Sequence, residues 1–596
     1  MTQSLLRRLG VRDQDLSSLS MCKADKKSLQ EWLSGLPSAN IGETSKQLYA
    51  LSEEMLRLKI APELRLGLLD ALLPAIEDNL HLLSVHYQHK QALLPKKSQQ
   101  VVDLSHALRM CVANSYTISA VELANSKSGL LRRPNKSLTC AAIAGAMKLL
   151  KDDLLLSYQL YSTAPRTLWL KMHELYAISC DLENQSLPIE GKKSDTKTVR
   201  NLYVETVLLG SIKANQLRQD DLARVVDLIP EWLDKVSIDG YKEGEIPALF
   251  MIDGSSDRGP VYSHLLSKPA LAKCSLQLST GELVQEIRRT VDDSKNSKIS
   301  IGEKAVRVDL LNHLILAWGK CTKRSFMRID SEEELDICVG LGAAHTFAAG
   351  DNTLETMLAQ ASSALAREIA FEQFHSYDNL KASDSPAVLP KTDITLKENE
   401  DGVECIDYSS SLPGQATEQE LTATAPMSVR VGVNNASPGG YSLSLPDTDN
   451  LRIHAGDLLG IKDAATELWS VAAIRWLHRP SRTELTFGVE LLSPAYMPSI
   501  ARNIETGSEP SDYFPVLLLP EVSVTEQSAS LLVSDVNINI GDTLQVLDRD
   551  QVRIVRVMEQ LAKTRVYAQY SYENFDAAND GGEAAEDLFD ALWGNL

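Results

Sequence analysis

Ser428-Val-Arg-Val-Gly-Val-Asn-Asn-Ala-Ser-Pro-Gly-Gly-Tyr-Ser-Leu-Ser-Leu445 decides how this chain is read. Ser428–Val433 enters as a strand, Tyr441–Leu445 leaves as one, and Asn435-Ala-Ser437-Pro-Gly-Gly440 makes the turn between them. Asn, Ser and Gly bring to such a turn an amide, a hydroxyl and a closely approachable backbone. Downstream, Asp457–Ile461, Trp469–Trp476 and Leu485–Leu491 are short strand-like runs with Gly, Asp and Pro between them. Regular spacing of this kind predicts a closed antiparallel barrel. Upstream, Val306–Trp318 has apolar residues at helical spacing and ends at Gly319-Lys320. A polar connector carrying Lys323, Arg324 and Arg328 then leads into Leu335–Leu341, which alternates as a half-buried strand does.

An arginine fork pairs with a phosphate or with the O6/N7 edge of guanine, and stacks flat on a purine. Together the connector and the turn hold the residue types suited to a ligand with both guanines and phosphates, and cyclic di-GMP uses all of them at once. Neither motif carries this alone. Arg-x-x-x-Arg recurs at Arg8/Arg12, Arg475/Arg479 and Arg549/Arg553, and the ordinary reading of any one pair is a solvated basic patch. The Asn-x-Ser-x-x-Gly spacing occurs once, and by itself it reads as a Gly-rich hairpin turn.

In order and surroundings, the stretch from Cys321 to Pro494 resembles the PilZ domain, a β-barrel receptor for cyclic di-GMP. Arg324 and Arg328 match that family's RxxxR connector, and Asn435, Ser437 and Gly440 match its [DN]xSxxG turn. Gly488, in the Phe487-Gly-Val-Glu-Leu491 run, matches a small position in a closing strand. The resemblance implies that Arg324 and Arg328, with Lys323 beside them, grip phosphates and guanine edges. Asn435 and Ser437 would contact a base, and Gly440 would let the backbone approach. The chain departs from the family in a long insertion, about 351–426, between the two motifs. Its first part, Asp351 to about His375, predicts a helix, and Ser376–Ala425 predicts an acidic, structureless loop.

The expected architecture is multidomain α plus β. Residues 1–320 form an all-α helical domain, and 321–500 a PilZ-like antiparallel barrel. Residues 501–572 form a small β domain, and 573–596 an acidic tail. In the helical half, Pro37, Pro62, Pro74, Pro95, Pro165, Pro188 and Pro230 punctuate the segments, and helices stop or restart near such residues. Only Ala248–Ile252 reads there as a strand. Beyond the barrel, five runs between Pro515 and Tyr570 are strand-like, and Leu588, Phe589, Leu592 and Trp593 lie along one side of a short helix in the tail. The helical half joined to such a barrel is also similar to FimW-type effectors of surface attachment and type IV pili.

With 596 residues, 44% hydrophobic and 23% charged, the chain has a soluble globular composition. A net charge of −20 disfavours DNA, RNA and anionic membranes as partners, yet leaves room for a local basic site. No apolar run reaches the ~20 residues of a membrane span, and no signal-peptide core is present. The 8 cysteines lack CxxC spacing, as expected of reduced thiols in a cytoplasmic protein. No P-loop, Gly-x-Ser-x-Gly or HExxH run appears, and no GGDEF or EAL run, so no enzyme, cofactor or metal is expected. His81, His86 and His89 read as a helical cluster whose spacing does not suit a metal. Gly340-Leu-Gly342-Ala-Ala-His345 reads as a strand end. The expected function is a non-enzymatic cyclic di-GMP receptor that couples ligand binding to domain rearrangement and to an unidentified protein partner. The alternative is an adaptor whose barrel binds no nucleotide.

Overall fold

The computed structural model describes residues 2–125, 135–189, 198–293, 298–319, 327–331, 333–350, 356–357, 396–398, 404–406, 427–446, 451–463, 468–504, 511–521, 528–534, 538–548 and 551–574. It divides into two compact units, Met1–Lys90 with Leu94–Lys323 and Lys391–Gly414, and Gln91–Leu93 with Arg324–Pro390 and Gln415–Leu596.

The first unit is a helical array built on three long helices, Pro62–Ser84, Lys96–Asn125 and Lys136–Gln159. Side-chain caps start several of its helices. Asp25, Asn40, Asn135 and Thr198 each accept from the backbone N–H three residues on, which satisfies a donor the first turn otherwise leaves open. The second and third long helices approach closely because Gly145 has no Cβ. One built there would stand 2.6 Å from the Tyr116 ring. Pro74 does not punctuate: the Pro62–Ser84 helix runs through it. A proline there forfeits one backbone hydrogen bond, and the complete burial of Leu72 and Ile76 on either side outweighs that loss.

The same unit carries more β-structure than the one run anticipated in it. Strands Ser237–Gly240, Leu276–Ser279, Phe250–Ile252 and Val261–Tyr262 form a four-stranded antiparallel sheet, in that spatial order. Lys298–Ile301 and Lys304–Arg307 make a hairpin, so the helix expected from Val306 begins at Val308 and ends at Gly319. Its Trp318 is fully buried and donates from Nε1 to Ser211 Oγ at 3.0 Å. The histidine cluster also dissolves, because the helix bearing His81 ends at Ser84, ahead of His86 and His89.

The second unit holds two barrels. The central one is built from β1 (Ile329–Asp330), β2 (Glu334–Val339), β3 (Val429–Ser437), β4 (Gly440–Pro446), β5 (Leu458–Asp463), β6 (Trp469–His478) and β7 (Glu484–Ser493). Six of them close in the order β4-β7-β6-β5-β2-β3, with β3 returning to β4. Strand β1 lies in line with β2 along the same edge of β3, and Ser331 N to Asn434 O at 3.3 Å and Val433 N to Glu333 O at 2.8 Å bridge the join. The inward residues Val431, Val433, Ile337, Leu443, Phe487, Ile461 and Leu477 are all buried, as the alternation of the sequence requires.

Gly340, with φ 90°, ends β2 and starts a helix, Leu341–Ala349, where a plain strand end was expected. This helix packs beside the second barrel: His345 Nε2 lies 3.0 Å from Ser499 O, and Tyr496 donates to Ala344 O at 2.8 Å. The second barrel closes as β8 (Met497–Asn503), β9 (Phe514–Leu519), β10 (Ser530–Val533), β13 (Ala568–Asn574), β12 (Gln551–Lys563) and β11 (Thr543–Asp548). The helical, central-barrel and C-terminal-barrel architecture is therefore the one expected.

Within the insertion, the acidic loop is not without structure. Leu396–Glu398 pairs antiparallel with Glu404–Ile406, a short hairpin that the acidic composition hid. The helix expected from Asp351 lies outside the described residues apart from Thr356 and Met357, as does the C-terminal tail from 575.

Candidate functional site

A β-bulge at Asn434 shapes the turn. Val433 pairs with Leu443 but Asn435 with Ser442, so one residue of β3 is extra. An extra residue reverses the alternation of faces beyond it. Val433 points into the barrel, whereas Asn435 and Ser437 come to the outer face with Ser442. The turn residues are Pro438 and Gly439, between the paired Ser437 and Gly440. Proline fixes its φ near −65°, which excludes a mirror-image hairpin turn, and Gly440 takes the unusual dihedral at φ 142°. Ser437 Oγ donates across the turn to Gly440 O at 3.1 Å.

Gly440 is needed by the barrel itself. A Cβ there would stand 2.0 Å from the carbonyl oxygen of Val489 on β7. The expected ligand-approach role for this glycine thus has a structural reason beside it.

The residues that follow Arg328 reach the turn through β1. Asp330 is the Cα partner of Asn435, and Ile329 of Ala436. One more step in that register sets Arg328 opposite Ser437. A continuous cross-strand row results on the outer face: Asp330, Asn435, Ser442, Gly488 and Trp476, each paired with the next. Four strand intervals at about 4.8 Å make the row roughly 19 Å long. Arg328 and Asp330 are exposed, and Ser442 is buried. Asn435 is half-buried, and its Oδ1 is sealed from solvent without a hydrogen-bond partner among the described residues. A buried acceptor left unmatched costs about 1–3 kcal/mol.

Trp476 was read from sequence only as part of a closing strand. Its indole lies against Gly488, where a Cβ would come within 1.9 Å of Nε1. A flat aromatic surface therefore stands at the far end of the row from Asp330. The signal in the sequence was the pairing of Trp476 with a glycine, which is visible only once the register is known. Beside the row, Glu490, the Cα partner of Gly440, forms an ion pair with Arg475, which offsets a carboxylate that would repel an anion. Lys323 and Arg324 lie outside the described residues.

Three consecutive family models match the chain. They are the N-terminal domain of the cyclic-di-GMP receptor FimW over residues 27–243, its middle PilZ domain over 249–498, and its C-terminal β-barrel domain over 499–575. The chain belongs to the FimW family. Among FimW proteins, the cyclic-di-GMP receptor FimW of Pseudomonas aeruginosa is 27% identical over 603 residues, covering 97% of each chain. No solved structure matches. Among the described residues of this FimW-family chain, no helix is long and apolar enough to cross a membrane, and no group of His, Cys, Asp or Glu is placed to hold a metal ion.

Proposed function

We propose that this protein is a cytoplasmic, non-enzymatic receptor for cyclic di-GMP, with the ligand held on the outer face of the central barrel. The observation that carries this reading is the β1–β3 register, which joins the end of the arginine connector to the Asn435–Ser437 turn. Arg328, with Arg324 and Lys323 before it, grips phosphates and guanine edges. Asn435 Oδ1 accepts from a base N–H, Ser437 supports it from the adjacent outward position, and Trp476 offers a stacking surface. Gly440 holds the turn that presents them.

Residues 320–326 link the Val308–Gly319 helix to β1. Gripping Arg324 and Arg328 therefore acts on the linker, and the ligand shifts its arrangement only by the difference in affinity between the gripped and released forms. Output through a protein partner in surface attachment, pilus or motility control is the role we assign to that shift.

Calorimetric titration with cyclic di-GMP tests the reading, beside an Arg324→Ala/Arg328→Ala variant. Each arginine contributes about 1.5–3 kcal/mol, so losing one weakens binding by about tenfold to hundredfold and losing both weakens it further. Equal heats from parent and variant, or none from the parent, would favour an adaptor whose barrel carries only protein contacts.

A further inference from the structure

We infer that Asp330 reads the 2-amino group of a guanine and so sets the base specificity of the site. The inference rests on the cyclic di-GMP reading above. Asp330 is the Cα partner of Asn435, and paired Cα atoms across an antiparallel ladder are about 4.5–5.5 Å apart. Both residues belong to the outer row, with Arg328 two positions before Asp330 on the same strand face.

The chemistry of the two side chains is complementary along one base edge. The Watson–Crick edge of guanine presents an acceptor, O6, and then two donors, N1–H and the N2 amino group. An asparagine amide can match two adjacent groups of opposite kind: Nδ2 donates to O6 and Oδ1 accepts from N1–H. This gives the sealed, unmatched Asn435 Oδ1 its donor. The amide has nothing left for the 2-amino group. An ionised carboxylate offers only acceptors, and Asp330 supplies one on the neighbouring strand, where that third group falls. Asp330 forms no ion pair and no hydrogen bond with another side chain among the described residues, so its oxygens are not already committed to one.

A carboxylate in a site for a dianion is otherwise a liability, since it repels the phosphates. Reading a donor group offsets that cost. Adenine lacks both donors along this edge: its N1 lone pair would face Asn435 Oδ1, and only a C2–H would face the carboxylate. Hypoxanthine keeps O6 and N1–H and lacks only the 2-amino group. The hypoxanthine comparison therefore isolates Asp330.

The test measures equilibrium binding of cyclic di-GMP, cyclic di-IMP and cyclic di-AMP to the full chain and to its Asp330→Ala and Asp330→Asn variants. The parent should prefer cyclic di-GMP over cyclic di-IMP by at least about tenfold, as a hydrogen bond to a charged group implies. In Asp330→Ala that preference should fall to within about twofold. Removing the negative charge alone would raise the affinity for all three ligands together, and a general loosening of β1 would lower it for all three; either leaves the ratio unchanged. A preference that survives in Asp330→Ala, with the parent binding cyclic di-GMP, overturns this assignment and leaves the receptor reading intact. A parent that binds none of the three overturns both.

Discussion

Gly440 and Ser437 stand three residues apart in one motif and serve the turn in different ways. Gly440 is confined by φ 142° and by the Val489 carbonyl, 2.0 Å from where a Cβ would be. Gly440→Ala should therefore destabilise the central barrel by about 2–4 kcal/mol, through backbone strain and displacement of β7. Ser437→Ala removes one part-buried hydrogen bond, for which about 0.5–1.5 kcal/mol is expected. Denaturant unfolding of the two variants checks the order. A Gly440→Ala protein as stable as the parent would mean that the turn does not press on β7 as described. The sequence showed the spacing of these residues but not this division of labour, because a glycine kept for close packing and one kept for a ligand look alike until the neighbouring strand is in place.

At the scale of elements, the Leu168–Asp181 helix buries Lys171 almost completely, with Nζ donating to Thr167 Oγ1 at 2.9 Å and to Met110 Sδ at 3.3 Å. Burial lowers its pKa to about 8 from the ordinary 10.5, against the opposing pull of Asp257 and Asp153. Between those values the unfolded chain binds a proton that the folded chain has released, so this group makes stability rise with pH from about 8 toward 10.5. Below pH 8 the charge is present in both states and its burial is a cost. Lys171→Met should thus be neutral or stabilising at pH 7, and should flatten the stability profile between pH 8 and 10 relative to the parent. Urea unfolding across that range decides it, and an unchanged slope in the variant would refute the assignment.

Elements with strong periodicity were legible in advance, among them the strands around Ser428–Leu445 and the helix ending at Gly319. Strand β8 was not, because Met497-Pro-Ser-Ile-Ala-Arg-Asn503 contains a proline and few β-formers, and its pairing with β9 and β11 supplies what propensity does not. The Lys298–Arg307 hairpin fell inside the stretch read as helical, because Val306 and Leu310 fit helical spacing, and Pro74 was read as a break because the burial of Leu72 and Ile76 beside it was not visible.

For the whole molecule, a net charge of −20 means that no long-range field draws an anion toward the chain. Recognition of a cyclic dinucleotide must then be local, on a few cations beside matched polar groups. Three consecutive family matches cover both units, the middle PilZ match spanning residues 249–498. The pairing of Asp330, two residues after Arg328, with Asn435 across a long insertion was the step that sequence could pose but not answer, since it depends on β1 pairing with a strand about one hundred residues away. The most direct measurement is the experimental structure of the full chain with cyclic di-GMP. A guanine lying over Asp330, Asn435 and Ser442, with Arg328 on the ligand, is the result predicted here. Ligand bound on another surface, with that row bare, would contradict it.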